Sequence, residues 1–310
     1  MEKYLVIDLS RTKLQYTIVT DQLDILEEGN EYLSVDSRDG LFVPIRNVCA
    51  RYRGTVAGLS MTMPGVIDRE NGIAYSGGVF EWIRDMHFTE ELEKFVGMPV
   101  VIANDAKAAC MAEMGYGSLK NVQNGVLLMI LNTGIGGAVV TDGHLLNGHH
   151  FGAGEFSYMR GDFRNHDPRT DMFALTCSLD GLSSAVETAT GRKNMNILRI
   201  ISRMRDEDED VIRGVNNYCD QLATHIYNLQ CVLDADVFVL GGHITDDPIM
   251  MDAVKKAVDR KFDEALYPNI VKPRIKECVF HNNSRRYGAV YNYRQIMAER
   301  KKKEEAGSES

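Results

Sequence analysis

Six residues between two apolar runs have the composition of a phosphate-binding turn. Residues 132–137 read Asn-Thr-Gly-Ile-Gly-Gly, and the runs on either side are short and apolar. Glycines let the backbone turn tightly and approach a ligand. Successive N–H groups then form a concave site for anions, to which Thr133 adds a hydroxyl. The pattern predicts a hairpin whose turn binds a nucleotide phosphate. An ordinary tight hairpin has the same composition, so that alternative stays open.

The pair Asn104-Asp105 is the second candidate, because it follows an apolar strand and opens a helix. Open α/β sheets place their ligands at the carboxyl ends of strands. A carboxylate there can accept a proton from a hydroxyl and orient it for attack. Asn and Asp are also favoured at helix caps, so a structural role for the pair stays open.

Polar turns also end the strands at Asp8 and at Gly241-Gly242. Together with the Asn132 turn they suit a nucleoside triphosphate with Mg²⁺, since phosphoryl transfer needs phosphate charge neutralised and the hydroxyl aligned. Asp8 could hold Mg²⁺ through water, and Thr12 and Thr133 could donate hydrogen bonds to phosphates. Gly241-Gly242 could let adenosine approach a helix end. Asp8 could instead be a turn residue that ends its strand, and Gly241-Gly242 could equally be a plain turn.

Other patterns that carry chemistry are absent or weak. The sequence has no Gly-x-x-x-x-Gly-Lys-Ser/Thr loop and no Gly-x-Gly-x-x-Gly fingerprint after a strand. His149 and His150 have no matched ligands, which indicates solvated loop residues rather than a metal site. Arg285-Arg286 and the basic run at 300–303 are interpreted as solvated faces.

Composition narrows the class of protein. The chain has 310 residues, 44% hydrophobic and 25% charged, which suits one large or two medium globular domains. Its net charge of −9 argues against a nucleic-acid partner. The six cysteines form no Cys-x-x-Cys pair, which fits reduced thiols and a cytoplasmic location. No run reaches the roughly 20 apolar residues of a membrane span and no signal peptide is evident, so no membrane partner is expected.

The elements that must position these residues follow an α/β order. Residues 5–10 resemble residues 129–134, and this internal repeat of strand, turn and strand suggests two related domains, with a chance match as the alternative. Apolar periodicity predicts helices over 38–52, 88–96, 106–114, 211–233, 250–266 and 288–298, a loop at 72–78 and a strand at 277–280. The predicted domains are an N-terminal α/β domain at 1–118, on which a C-terminal helix at 288–304 packs back, and a C-terminal α/β domain at 119–287, followed by a disordered tail at 305–310.

Taken in order, the motifs resemble those of the ROK family of sugar kinases, in the actin-like ATPase superfamily. The matching pieces are Ile7-Asp8 with Thr12-Lys13, and residues 63–68, 104–106, 133–137, 152–155, 240–242 and 288–289. The resemblance implies an α/β fold of two actin-like (ribonuclease H-like) domains flanking a central cleft. It also implies ATP-dependent, glucokinase-like phosphorylation of a hexose or hexose derivative, usually at the 6-hydroxyl.

The resemblance also assigns roles to residues. Asp105 matches the family's catalytic base and Asn104 a sugar-binding amide. The other expected sugar contacts are Glu155, Tyr158 (at the position of a family histidine), Asp180 (in place of a family glutamate), Gly65 and Gly78. The residues expected to bind ATP are Asp8, which would also hold Mg²⁺ through water, Thr12, Lys13, Thr133, Gly134, Gly136, Gly241 and Gly242.

Three departures from the family pattern matter. The family's Asp-x-Gly-Gly-Thr reads Asp8-Leu9-Ser10-Arg11-Thr12, so two side chains stand where backbone should approach phosphate. The cysteine-rich zinc motif is missing, which predicts no structural zinc. The helix-turn-helix arm of the family's repressors is missing too, so no nucleic-acid partner is expected. A homodimer is expected from the resemblance alone.

Two alternatives stay open. The substitution at Ser10-Arg11 motivates a sugar-binding regulator or interaction protein that has lost kinase activity. An actin-like fold with a non-sugar acceptor is the other alternative.

Overall fold

Strands dominate the first part of the chain. The computed structural model describes residues 1–10, 13–161, 167–266 and 269–308. Its strands are β1 (Lys3–Leu9), β2 (Lys13–Thr20), β3 (Ile25–Tyr32), β4 (Leu59–Met63), β5 (Ile67–Asp68), β6 (Ile73–Gly77), β7 (Phe80–Met86), β8 (Val100–Asn104), β9 (Gly125–Ile130), β10 (Ile135–Thr141), β11 (His144–Leu145), β12 (Val237–Gly241) and β13 (Arg274–Glu277).

Helices separate these strands and dominate the second part. They are α1 (Arg38–Tyr52), α2 (Phe88–Val96), α3 (Asp105–Tyr116), α4 (Pro168–Asp171), α5 (Phe173–Cys177), α6 (Leu179–Thr190), α7 (Ile197–Arg205), α8 (Glu209–Leu233), α9 (Pro248–Asp263) and α10 (Ser284–Ser308). Short 3-10 turns lie at Phe156–Tyr158, His243–Thr245 and His281–Asn283.

The chain divides into two compact units. Unit 1 comprises Met1–Tyr116, Gly148–Gly152 and Asn283–Ser310, and unit 2 comprises Gly117–Asn147 and Ala153–Asn282. Each unit contains a five-stranded sheet, ordered β3-β2-β1-β4-β8 in unit 1 and β11-β10-β9-β12-β13 in unit 2. In both sheets the central strand pairs antiparallel with the next strand of the chain and parallel with a later one. This agreement supports the predicted internal repeat and confirms the α/β class.

The alternation of side chains along β1 decides which groups share a face of the unit 1 sheet. Leu5 and Ile7 join the core that contains residues of α1 and α2. Tyr4 and Val6 join the core that contains residues of α10. Because side chains alternate along a strand, Asp8 belongs to the face covered by α10.

Helix α10 packs very closely on α3. A side chain at Gly288 would overlap the backbone carbonyl of Ala108, so only glycine fits there. The Ser60 hydroxyl on β4 donates to the carbonyl of Ala289 at 2.7 Å, which ties the same turn of α10 to the sheet. The turn of α10 that contains Gly288 and Ala289 is therefore fixed against α3 and β4.

Several predicted bounds differ from the structure. Helices α1 and α2 coincide with the predicted ranges. The predicted loop at 72–78 contains β6, an edge strand that pairs with β7 and whose Ser and Gly residues concealed it. The strand expected at 277–280 ends at Glu277, and the last helix runs from Ser284 to Ser308, through part of the predicted tail. Among the described helices none combines the length and apolarity needed to traverse a bilayer.

The Gly288 contact predicts a strong stability effect in unit 1. Gly288→Ala should lower the free energy of unfolding by about 2 kcal/mol or more, because the neighbouring carbonyl is backbone and cannot rotate away. The fluorescence of Trp82, the single tryptophan and a residue of unit 1, reports the transition in urea. Gly152→Ala is the control, since nothing lies within 4 Å of its new Cβ. Equal midpoints for the two variants would contradict the close packing.

Candidate functional site

Asp8 lies at the edge of the unit 1 sheet where the parallel strands end. It stands opposite Thr62 in the register of β1 and β4, and the Thr62 hydroxyl donates to Asp8 Oδ1 at 2.6 Å. Its Oδ2 lies 3.1 Å from Nη2 of Arg285. Burial raises the pKa of the Asp8 carboxyl, against the opposing effects of Arg285, Thr62 and Arg286. Both oxygens of this buried acid therefore have partners.

Asn104 caps α3 at the end of β8, the strand parallel to β4. Its Oδ1 accepts the N–H groups of Ala106 at 3.0 Å and Lys107 at 3.1 Å. Its Nδ2 donates to the carbonyl of Gly65 at 3.0 Å. Asn104 therefore caps α3 and ties its start to the Gly65 turn. Its expected role as a sugar-binding amide stays a prediction.

Asp105 is the first residue of α3 and is half-buried. Its Oδ1 accepts the N–H of Ala106 at 2.8 Å, and its Oδ2 has no hydrogen-bond partner within the described ranges. Burial raises the pKa of the Asp105 carboxyl above its ordinary value, Arg285 opposes that shift and Asp8 adds to it. An open carboxylate oxygen with a raised pKa has the properties that a general base needs.

Gly65 and Gly78 shape the backbone beside this pair. Their φ angles of +113° and +60° lie in the left-handed region that favours glycine. A side chain at Gly65 would overlap the carbonyl of Ser76, and one at Gly78 would press on Pro64. The backbone contact and the φ angle thus require glycine at Gly65, and the Pro64 side chain and the left-handed φ favour it at Gly78.

The segment 148–152 adds an aromatic contact to unit 1. Phe151 stacks on Tyr75 with ring centroids 5.4 Å apart and an angle of 22° between the planes. The Lys107 ammonium donates to the Phe151 carbonyl at 2.7 Å. Tyr75 also lines a cavity of about 300 Å³, together with Gly78 and Arg84. Gly78, which is expected to line the sugar pocket, therefore borders a cavity that is also lined by an aromatic ring and a guanidinium group.

The interpretation of Arg285 and Arg286 as solvated residues is wrong. Arg285 pairs with Asp8, and Arg286 is buried and pairs with Glu28 at 3.0 Å. The sequence carried one usable signal, because Arg285 stands one helical turn before Gly288 and therefore shares its side of α10. The partner Asp8 is 277 residues away in the chain, and local patterns do not predict such a pair.

In unit 2 the Asn132 turn is fixed by its neighbours. The Ser157 hydroxyl accepts the N–H of Ile135 at 3.0 Å and donates to its carbonyl at 2.7 Å. The N–H of Asp180 donates to the Asn132 carbonyl at 3.0 Å. Asp180, expected to bind sugar, is thus placed beside the turn expected to bind phosphate. The residues of this turn expected to bind nucleotide, Thr133, Gly134 and Gly136, are exposed or half-buried.

Gly241 and Gly242 end β12 beside the strand that leads into this turn. Gly241 pairs with Met129 on the parallel strand β9. Gly242 has a φ of +91°, and a side chain there would overlap the carbonyl of Ile130. Both candidate nucleotide turns therefore leave the same edge of the unit 2 sheet, at the carboxyl ends of parallel strands.

Glu155 and Tyr158 flank a short 3-10 turn in unit 2. Glu155 is half-buried, whereas 69% of Tyr158 is exposed. The turn follows Gly154, whose φ is +88° and whose missing side chain leaves room for the backbone of Gly137. Glycine contacts thus hold Glu155 against β10.

The β1–β2 turn is only partly described. Thr12 and Arg11 lie outside the described residues, and Lys13 opens β2 with its side chain exposed. The N–H and the hydroxyl of Ser10 both donate to the Lys13 carbonyl at 3.0 Å. The Ser10 side chain is therefore bonded within its own hairpin.

No set of three or more His, Cys, Asp or Glu side chains suited to a metal ion occurs in the described part of the chain. The rings of His149 and His150 contact each other edge-on, with centroids 4.7 Å apart. The expected absence of structural zinc stays a prediction.

Comparison with known proteins relates this chain to one family. A model of the ROK family matches residues 4–295. The beta-glucoside kinase of Listeria monocytogenes is 27% identical over 300 residues, which cover 94% of this chain and 98% of that protein. The Lmo2764 protein of Listeria monocytogenes superposes with a TM-score of 0.81 at 26% identity, covering 94% and 99% of the two chains. A ROK family glucokinase from Streptomyces griseus, solved with glucose and AMPPNP, has a TM-score of 0.75 at 18% identity, covering 93% and 97%.

The two contacts of Asn104 can be separated by mutation. Asn104→Ala removes the cap and the bond to Gly65, and we expect it to lower the free energy of unfolding by about 2 kcal/mol. Asn104→Ser keeps a capping oxygen but cannot reach Gly65, so we expect a loss of about 1 kcal/mol. Urea unfolding followed by Trp82 fluorescence measures both. Equal losses would contradict a separate contribution from the cap.

Proposed function

The chain belongs to the ROK family, and from that premise we propose that it is an ATP-dependent kinase that phosphorylates a hydroxyl of a hexose or hexose derivative. This chain matches several proteins over most of their length, and these proteins are named as sugar kinases. Their names support the class of reaction. They differ in sugar, so the acceptor is proposed as a class, with the 6-hydroxyl as the expected position.

The observation that carries the proposal is the environment of Asp105. One carboxylate oxygen is held by the helix N-terminus, and the other has no partner among the described residues. Burial raises the pKa of the Asp105 carboxyl, which strengthens its affinity for a proton. We assign Asp105 as the general base that takes the proton of the sugar hydroxyl.

The residues proposed to bind the sugar are those around Asp105, the proposed general base, and those given by the family resemblance. Asn104 is rigid because its side chain makes three hydrogen bonds. Gly65 and Gly78 present backbone where a side chain would not fit. The further sugar contacts proposed from the family resemblance are Glu155, Tyr158 and Asp180.

The nucleotide is assigned to the glycine turns of unit 2 and to Asp8. Backbone N–H groups at 133–137 and at Gly241-Gly242 suit phosphate and nucleoside contacts. Asp8 fits a hydrated Mg²⁺ better than a directly bound one, because Thr62 and Arg285 already contact its two oxygens. When bound, Mg²⁺ neutralises phosphate charge. Thr12 and Lys13 complete the proposed set, and a cytoplasmic homodimer stays a prediction.

A sugar-binding regulator without kinase activity is the competing function, motivated by Ser10 and Arg11 in place of glycines. The Ser10 hydroxyl is hydrogen-bonded to the Lys13 backbone within its own hairpin, so Ser10 does not by itself favour the regulator. Calorimetry separates the two functions. Sugar binding without Mg·ATP binding would favour the regulator, and glycine at both positions should then recover nucleotide affinity.

Asp105→Asn should lower kcat by about 10²–10⁴-fold while sugar binding persists, because the amide keeps the shape of the side chain but cannot take the proton. ADP release over a panel of hexoses, amino sugars and β-glucosides measures turnover, and calorimetry measures sugar binding. Asp39→Asn, an exposed acid on α1, is the control and should keep wild-type turnover. Wild-type turnover in Asp105→Asn would refute the assigned base.

A further inference from the structure

The cavity in the hairpin of β6 and β7 has no ligand assigned to it, although one of its residues is expected to contact sugar. Its volume is about 300 Å³, and Tyr75, Gly78, Glu81 and Arg84 are among the residues that line it. Pockets for small organic ligands begin at about 300 Å³ and combine apolar surface with a few polar groups. The cavity therefore has the size and the lining of a ligand subsite.

The turn at Gly65 links this cavity to Asp105. Asn104, the residue before Asp105, donates to the Gly65 carbonyl at 3.0 Å. The same turn contacts Ser76 of the cavity wall, because the Ser76 carbonyl leaves no room for a side chain at Gly65. Gly78 belongs both to the cavity and to the residues proposed to contact the hexose. The cavity thus lies beside the proposed hexose position.

Arg84 and Glu81 give the cavity hydrogen-bond donors and acceptors that are not in use. The Nε of Arg84 donates to the backbone carbonyl of Glu81 at 3.2 Å, and its two Nη groups have no partner among the described residues. The Glu81 carboxylate has no partner in the same part of the chain. Because the two opposite charges line one cavity without pairing, a neutral ligand with several hydroxyls fits it better than an anion or a cation.

Tyr75 adds an aromatic surface that is held in place by Phe151. The two rings stack with centroids 5.4 Å apart. Phe151 has a φ of +59°, which is uncommon for a residue other than glycine, and its carbonyl accepts the Lys107 ammonium at 2.7 Å. Tyr75 nevertheless stays 38% exposed, and its hydroxyl has no partner within the described ranges. An aromatic surface with a free polar end therefore faces a ligand-sized space.

Resting on the function proposed above, we propose that this cavity is the subsite for a second sugar ring, joined to the anomeric carbon of the hexose that is phosphorylated. A sugar ring carries hydroxyls at its edge, which suit Arg84 and Glu81, and C–H groups on its faces, which suit Tyr75. A glycosidic bond at the anomeric carbon leaves the 6-hydroxyl of that hexose free to meet Asp105. The substrate class is therefore a disaccharide whose non-reducing hexose is phosphorylated.

The first test compares the best monosaccharide of the panel with disaccharides that carry the same sugar at the non-reducing end. For glucose these are maltose and cellobiose, and for N-acetylglucosamine it is diacetylchitobiose. We expect kcat/KM for the better disaccharide to exceed that for the monosaccharide by about 10-fold or more, since the second ring adds binding energy remote from the reacting hydroxyl. Disaccharides that are no better than the monosaccharide overturn the inference.

The second test removes the guanidinium from the cavity. Arg84→Met should lower the ratio of kcat/KM for the disaccharide to that for the monosaccharide by about 10-fold, because only the second ring meets this side chain. Arg294→Met, at an exposed arginine of α10, is the matched control and should keep the wild-type ratio. An unchanged ratio in Arg84→Met overturns the assigned subsite.

Two further measurements identify the occupant. Calorimetry without nucleotide should show disaccharide binding about 10-fold weaker in Arg84→Met than in Arg294→Met, which does not depend on turnover. Phenyl β-glucoside tests an aromatic group in the cavity, and a kcat/KM above that for every disaccharide would overturn the sugar ring as its occupant. A wild-type protein that phosphorylates monosaccharides alone overturns the subsite and leaves the proposed function standing. One that phosphorylates no sugar overturns the proposed function instead.

Discussion

Two acids meet at one edge of a buried sheet, and their negative charge has to be balanced there. The parallel register of β1, β4 and β8 brings Asp8, Thr62 and Asn104 to the same edge, and Asp105 follows directly. Burial raises the pKa of both acids. The Arg285 guanidinium opposes this shift at both acids, and the Thr62 hydroxyl opposes it at Asp8.

This balance depends on how closely α10 approaches α3. Gly288 lets the helices meet backbone to backbone, and the bond from Ser60 to the Ala289 carbonyl fixes the same turn to the sheet. Arg285, one turn earlier, is thereby brought to Asp8. The acidic edge of unit 1 is thus assembled from the start, the first third and the end of the chain, and a change of packing at Gly288 would move Arg285 relative to Asp8.

Sequence patterns predicted the parts of this arrangement that are local. Apolar periodicity located α1 and α2, and polar residues after apolar runs located Asp8 and the Asn104-Asp105 pair. The edge strand β6 was missed because its Ser and Gly residues are typical of loops. Arg285 was misinterpreted because its partner is set by tertiary packing, and a charged pair at the start of a helix is usually solvated. The Asn104 cap could be anticipated only as one of two alternatives, since capping and catalysis favour the same residue types.

On this proposal, the free oxygen of Asp105 receives the proton of the acceptor hydroxyl. A crystal structure of the protein with the sugar that it phosphorylates would show whether it does. We expect one sugar hydroxyl about 2.6–3.2 Å from Asp105 Oδ2, and we expect this hydroxyl to carry the phosphate in the product. A bound sugar whose reacting hydroxyl lies beyond hydrogen-bond reach of Asp105, with the carboxylate in solvent, would contradict it.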